Sequence, residues 1–229
     1  MKALLIAGTD TGVGKTVLTS ALVAYGQAHM PNKRLGLMKP VQSGVGDREL
    51  YTRLFHLDQT PEDITPIYLR APLAPPIAAF KEQANIDLGL LWQRFEALRR
   101  QRDVVLIEAL GGLGSPITWQ TTVADLAWDW QLPTVLVVPV RLGAIAQAVA
   151  NVALARQSRL HLKGIVLNCV QLEHDSTASA INDLAPPGLI ESLTGVPILG
   201  TIPHLSDPTD VHKLIQVASN LEIERLLPL

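Results

Sequence analysis

Near its start the chain reads Gly8-Thr9-Asp10-Thr11-Gly12-Val13-Gly14-Lys15-Thr16, between a short apolar run and a stretch of helical pattern. Polyphosphate binding needs that setting, because backbone N–H groups at a helix start point at phosphate oxygens. Gly12 and Gly14 admit a close backbone approach. Lys15 would neutralise the β- and γ-phosphates, and the Thr16 hydroxyl would ligate Mg²⁺. The usual pattern leaves four residues between its first glycine and Gly-Lys-Thr. Here five separate Gly8 from Gly14, so the loop is a variant.

Further groups follow other apolar runs. Lys39 opens Lys39-Pro40-Val41-Gln42-Ser43-Gly44 after Leu35–Met38. It reads equally as a second cation over a transferring phosphoryl group or as a solvated lysine at a strand end. Glu108 follows Val104–Ile107 and precedes Ala109-Leu110-Gly111-Gly112. A carboxylate there suits Mg²⁺, directly or through water. Asp47 stands before a helical stretch, as a helix cap or a second metal carboxylate. Asn168 ends Ile165–Leu167; it reads as a turn asparagine, with pairing to an adenine edge as the alternative. Cys169, the one cysteine, has no partner histidine in the pattern and reads as a buried small residue. The six histidines, His174 among them, show no metal spacing.

Parallel strands must position these groups. Leu4–Ala7, Val104–Ile107, Val135–Val138 and Ile165–Leu167 are apolar without alternation, as strands covered on both faces are. Leu35–Met38 and Ile198–Ile202 are weaker examples. Lys15–Ala28, Leu88–Arg102 and Ala144–Gln157 have helical character, the last being alanine-rich. Alternation of strand and helix predicts an α/β fold, a mostly parallel sheet flanked by helices, in one domain over 1–229. Thr60–Pro76 carries prolines at 61, 66, 72, 75 and 76 and reads as an irregular surface excursion. Ala185-Pro186-Pro187-Gly188 marks a second break. A final helix is expected after Asp207, capped by Asp207 or Thr209.

Composition bounds the class. Hydrophobic residues make up 48% and charged residues 17%, a globular balance. The net charge of −2 gives no reason to expect a nucleic acid or an anionic membrane as partner. One cysteine excludes an internal disulfide, and no apolar run spans a membrane, so a cytoplasmic protein is expected.

Taken together, these segments resemble the dethiobiotin synthetases. Gly8–Thr16 is similar to that family's phosphate loop, extra residue included. Lys39–Gly44 resembles its Lys-Pro-x-x-Ser/Thr-Gly segment, and Glu108–Gly112 its Glu-Gly-Ala-Gly-Gly, with Ala-Leu in place of Gly-Ala. Asn168 sits at the position of an adenine-contacting asparagine, and Gly200-Thr201-Ile202-Pro203 is similar to Gly-x-Ile-Pro. The resemblance implies a P-loop NTPase-like fold and carboxylation with ring closure of 7,8-diaminononanoate, using CO₂ and ATP. It implies Lys15 and Lys39 as catalytic cations, and Thr16, Asp47 and Glu108 as the Mg²⁺ set. ATP would be held by Gly12, Val13, Gly14, Lys15, Thr16, Val17, Glu108, Gly111, Asn168, Pro203, His204 and Leu205. Thr11 and Ser43 would hold the carbamate or an amine. Members are homodimers, and Gly143, Ala144 and Ile145 would complete the diamine site across the interface. The alanine-rich helix fits such an interface and fits a simple buried helix equally well. Chromosome- and septum-positioning ATPases share the loop type but carry a lysine early in it; Asp10 occupies that place. An amide synthase of the cobyrinate kind would need a glutaminase domain with a cysteine nucleophile, for which the chain has no room.

Overall fold

The structure is a computed structural model that describes residues 3–170 and 177–227. Along the chain the elements are β1 (Ala3–Gly8), α1 (Lys15–His29), β2 (Leu35–Met38), β3 (Val41–Ser43), α2 (Asp47–Leu54), α3 (Pro61–Ile64), β4 (Ile67–Leu69), α4 (Pro75–Glu82), α5 (Leu88–Gln101), β5 (Val104–Gly112), α6 (Val123–Asp129), β6 (Thr134–Pro139), α7 (Ala144–Gln157), β7 (Leu162–Asn168), α8 (Thr177–Leu184), α9 (Pro187–Thr194), β8 (Ile198–Ile202), α10 (Val211–Ser219) and α11 (Ile223–Leu226).

Six strands form one parallel sheet in the order β2-β5-β1-β6-β7-β8. Its strands lack alternation because both faces are covered. Within β1, Leu5 and Ala7 join an apolar cluster with Leu91, Phe95, Ala148 and Val152, from α5 and α7. Leu4 and Ile6 point the other way, into a cluster with Leu18, Leu22 and Leu214, from α1 and α10. Period-two projection thus puts every second side chain into a different core. β1 lies centrally, so its carboxyl end opens where the strand order reverses direction, the usual place for a ligand in such sheets.

Three expectations need correction. Glu108 does not follow its strand. β5 continues to Gly112 because pairing with β1 continues, Ile6 opposite Glu108 and Gly8 opposite Gly112, across a register shift. The proline-marked segment 60–76 is not irregular throughout: it holds α3, β4 and the start of α4. Pro61 and Pro75 are first-turn residues of those helices, where a missing N–H costs nothing. β4 pairs in parallel with β3 in a second, two-stranded sheet, Val41 against Ile67 and Ser43 against Leu69. Finally, α10 is capped by Asp210, whose side chain accepts from the Lys213 N–H at 3.2 Å. Asp207 instead accepts from the N–H and hydroxyl of Thr209, at 2.9 and 2.6 Å. His174 lies outside the described residues.

Candidate nucleotide and phosphoryl-transfer site

The glycine loop joins β1 to α1. Gly14 takes φ 98°, a left-handed conformation, and a Cβ there would overlap the Asn168 amide. That amide donates to the Val13 carbonyl at 2.8 Å, so the end of β7 supports the loop from beneath. Lys15 folds back across the loop, its ammonium donating to the Asp10 carbonyl at 2.9 Å. Burial strips water from this ammonium and lowers its pKa to about 8; Glu108 opposes the shift and Lys39 adds to it.

Beside Lys15 lies a compact charged group. The Thr16 hydroxyl stands 2.9 Å from Asp47 Oδ1 and 3.2 Å from Glu108 Oε1. Lys39 donates to Glu108 Oε1 at 2.7 Å and forms an ion pair with Asp47. Burial alone would depress the Lys39 ammonium, but the two carboxylates outweigh it and hold its pKa above the ordinary value. Burial likewise would raise the Asp47 carboxyl, and Lys39 with Thr16 brings it below the ordinary value. Glu108 and Lys39 are both buried, Glu108 completely. Such charges persist in a core only when paired.

The loop after β3 is fixed separately. Gln42, buried, donates to the Gly44 carbonyl at 3.0 Å and to Glu49 at 2.9 Å, and accepts from the Arg48 N–H at 2.8 Å. Glu49 also accepts from the Gly46 N–H at 2.9 Å. This network sets Asp47 as the first residue of α2, one position past the cap.

These groups line a cleft of about 610 Å³. It contains Thr11, Gly12, Gly14, Lys15 and Thr16 from the loop, Lys39, Ser43 and Asp47 from the β2–α2 stretch, and Glu108 and Gly111 from β5. Its rim is apolar, with Val45, Leu73, Pro75 and Leu110. The Ser43 hydroxyl is buried and has no hydrogen-bond partner among the described residues, a donor still to be used. Ala109, where the resembled family has glycine, turns its methyl into the core beside Leu5 and Val123, away from this cleft.

The remaining sequence-derived candidates lie outside the cleft. Val13 is buried within the loop, and Val17 packs on the α1 side of the core. Asn168 sits under the loop. Pro203, His204 and Leu205 follow β8, at the same end of the sheet. Gly143 caps α7 with φ 90°, and Ala144 is buried; with Ile145 they stand apart from the lining. α7 nevertheless touches the loop, since the Thr9 hydroxyl reaches Gln147 Oε1 at 3.4 Å, and Arg141, in the turn before α7, lies 3.8 Å from Asp10.

Sequence reasoning missed Tyr51 and Ser115. Tyr51 is fully buried and donates its hydroxyl to Glu108 Oε2. Burial and the two nearby carboxylates push its pKa well above 10, so it stays a donor. The available signal was its spacing: Tyr51 lies four positions after Asp47, on the same helix face. Ser115 lines the cleft and accepts from the Gly112 N–H at 2.8 Å.

Among the described residues no cluster of three or more His, Cys, Asp or Glu side chains could cage a metal. The oxygens of Thr16, Asp47 and Glu108 nonetheless fit Mg²⁺. That ion favours one or two carboxylates with a hydroxyl, completed by phosphates and water. The Lys39 ammonium held by both carboxylates shows that the pair accommodates positive charge.

A family model described as an AAA domain matches residues 2–211. The protein of Gloeothece citriformis named ATP-dependent dethiobiotin synthetase BioD is 56% identical over all 229 residues, with 100% of each chain covered. The chain belongs to the dethiobiotin synthetase family. The family members of Crocosphaera subtropica and Bacillus subtilis are 52% and 30% identical, covering 99% of this chain in each case and 100% and 98% of theirs. Among solved structures, the cell division ATPase MinD of Pyrococcus furiosus superposes with TM-score 0.60 at 16% identity, over 99% of this chain and 100% of that one. A ParA family ATPase from Chlorobium tepidum gives 0.59 at 13%, over 98% and 96%. At those identities the likeness establishes the P-loop NTPase fold that this family member shares.

Proposed function

We propose that this protein makes dethiobiotin from 7,8-diaminononanoate, CO₂ and ATP, working as a cytoplasmic homodimer. The observation that carries the reading is the convergence of two buried lysines, Lys15 and Lys39, on one cleft with Thr16, Asp47 and Glu108. One amine of the substrate adds to CO₂ and loses a proton, giving a carbamate. A carbamate oxygen attacks the γ-phosphorus and ADP departs, leaving a carbamic-phosphoric mixed anhydride. The second amine attacks the carbamoyl carbon, closes the urea ring and expels phosphate.

The difficult encounter is between two anions, carbamate and γ-phosphate. Lys15, held at the loop, lowers the charge on the nucleotide side. Lys39, at the end of β2 with β5 intervening, is placed to lower it on the carbamate side. Bound Mg²⁺, held by Thr16, Asp47 and Glu108, supplies further neutralisation of the phosphates. Ser43 offers its unused hydroxyl to the carbamate, with Thr11 across the cleft. Asn168 and the stretch Pro203–Leu205 receive the adenine end, beyond two adjacent strands. Gly143, Ala144 and Ile145 of a second copy receive the substrate carboxylate, at a helix start suited to an anion.

The test is phosphate release from MgATP with and without diaminononanoate and bicarbonate. We expect release that depends on the diamine, a cyclic urea as product, and a fall of at least about a hundredfold in Lys39→Ala, on the order of removing one stabilising donor from a transition state. Release indifferent to the diamine would instead favour a nucleotide-switched ATPase.

A further inference from the structure

Tyr51 has no part in the scheme above, yet its placement is specific. It lies on α2 one turn beyond Asp47, entirely buried, its ring stacked against Phe55 at 6.5 Å between centroids. Its ring packs among apolar residues, and its hydroxyl meets Glu108 Oε2, with Asp47 and the Thr19 hydroxyl close by. Glu108 therefore has two differently occupied oxygens. Oε1 faces Lys39 at 2.7 Å and Thr16 at 3.2 Å, groups that reacting anions would engage. Oε2 faces a neutral donor, the Tyr51 hydroxyl.

We propose that Tyr51 is a positioning residue for Glu108: its hydroxyl anchors Oε2, fixing the carboxylate so that Oε1 is presented to Thr16 and to the metal–nucleotide. This rests on the assignment of Thr16, Asp47 and Glu108 as the metal set. The physical need follows from Lys39. That ammonium is shared between Asp47 and Glu108 in the free chain, and an anionic substrate competes for it. Whenever Lys39 turns toward substrate, Glu108 loses its charge partner on one oxygen. The tyrosine bond then keeps a wholly buried carboxylate from rotating. Phenylalanine would fill the same volume, so packing does not explain the hydroxyl, and a buried hydroxyl is costly unless it is bonded.

The test measures Mn²⁺ binding to the full chain in the presence of ADP, reading free Mn²⁺ by electron paramagnetic resonance. Tyr51→Phe is expected to weaken Mn²⁺ binding roughly tenfold, the lower end for loss of a group orienting a metal ligand. ADP binding without metal should be unchanged, and turnover lost at low Mg²⁺ should return at high Mg²⁺. Phe55→Leu disturbs the same packing without touching the hydroxyl and should leave Mn²⁺ affinity as in the parent. Equal weakening by Phe55→Leu, or none by Tyr51→Phe while Glu108→Gln weakens binding, overturns the positioning role alone. Unaltered Mn²⁺ binding in Glu108→Gln removes the metal assignment and the proposal with it.

Discussion

Lys39 stands where two negative charges need a positive one. It lies between Asp47 and Glu108, and the two carboxylates are balanced only when the nearby Lys15 is counted with it. Lys39→Met tests that arrangement by leaving two neighbouring carboxylates uncompensated. Breaking a buried pair from one side costs about 3–5 kcal/mol, so the variant should melt well below the parent. Adding Mg²⁺ without nucleotide should recover much of that loss while leaving the parent's melting temperature nearly unchanged. A variant indifferent to Mg²⁺ would mean that the carboxylates do not form a cation site. At this scale the sequence was informative where a residue type has few other uses. Lys15 and Thr16 within a glycine loop, and the carboxylate of Glu108, stand out in the sequence by type, and the structure brings all three to one cleft, with Glu108 inside its strand and not after it. Tyr51 did not, because an aromatic residue on an amphipathic helix reads as core, and here it is both core and donor. Asn168 showed as a group at a strand end; its bond to the Val13 carbonyl depends on β7 and the loop meeting in space.

Elements follow the same division between local and distant causes. The six strands of the main sheet were legible because being buried on both faces writes an unbroken apolar run. β3 and β4 were not, each being only three residues long and meaningful only as a pair. Prolines misled for a definite reason: a proline that begins a helix and one that interrupts it look alike in sequence. The edge of the sheet carries a further device. Gln59 accepts from the Leu37 N–H at 2.8 Å and donates to the Leu37 carbonyl at 2.9 Å, so one side chain pairs with edge strand β2 as a neighbouring strand would. It thereby satisfies groups that would otherwise offer a template for another chain. Gln59→Ala should cost about 1–3 kcal/mol in urea unfolding, two net hydrogen bonds' worth, and should raise aggregation on warming. Unchanged stability would show that water replaces the amide at no cost.

For the whole molecule, the homodimer reading can be tested at the start of α7. Leu142 is 89% exposed at the approach to α7, and Val149 projects from that helix. Leu142 precedes and Val149 lies on the helix that the homodimer reading places at the interface. Leu142→Asp is therefore expected to shift sedimentation toward monomer and to raise the KM for the diamine, with ADP affinity retained. A dimer that survives the charge would place the interface elsewhere. No helix among the described residues is long and apolar enough to cross a membrane. Oligomeric state was the least legible property, since an alanine-rich helix packs equally well inside one chain or between two.

The order of the sheet also governs when the site can come into being. β1 is the first strand of the chain, yet its partners are β5 and β6, Ala3 lying beside Val105 and Leu5 beside Thr134. A chain emerging from the ribosome exposes its glycine loop early and cannot seat it until well past the midpoint of synthesis. Closing such distant pairs is slow, because chain entropy is lost before contacts repay it. Asn168, which supports the loop, arrives later still. Nucleotide binding should therefore be among the last properties a growing chain acquires, so that an incomplete chain holds no ATP.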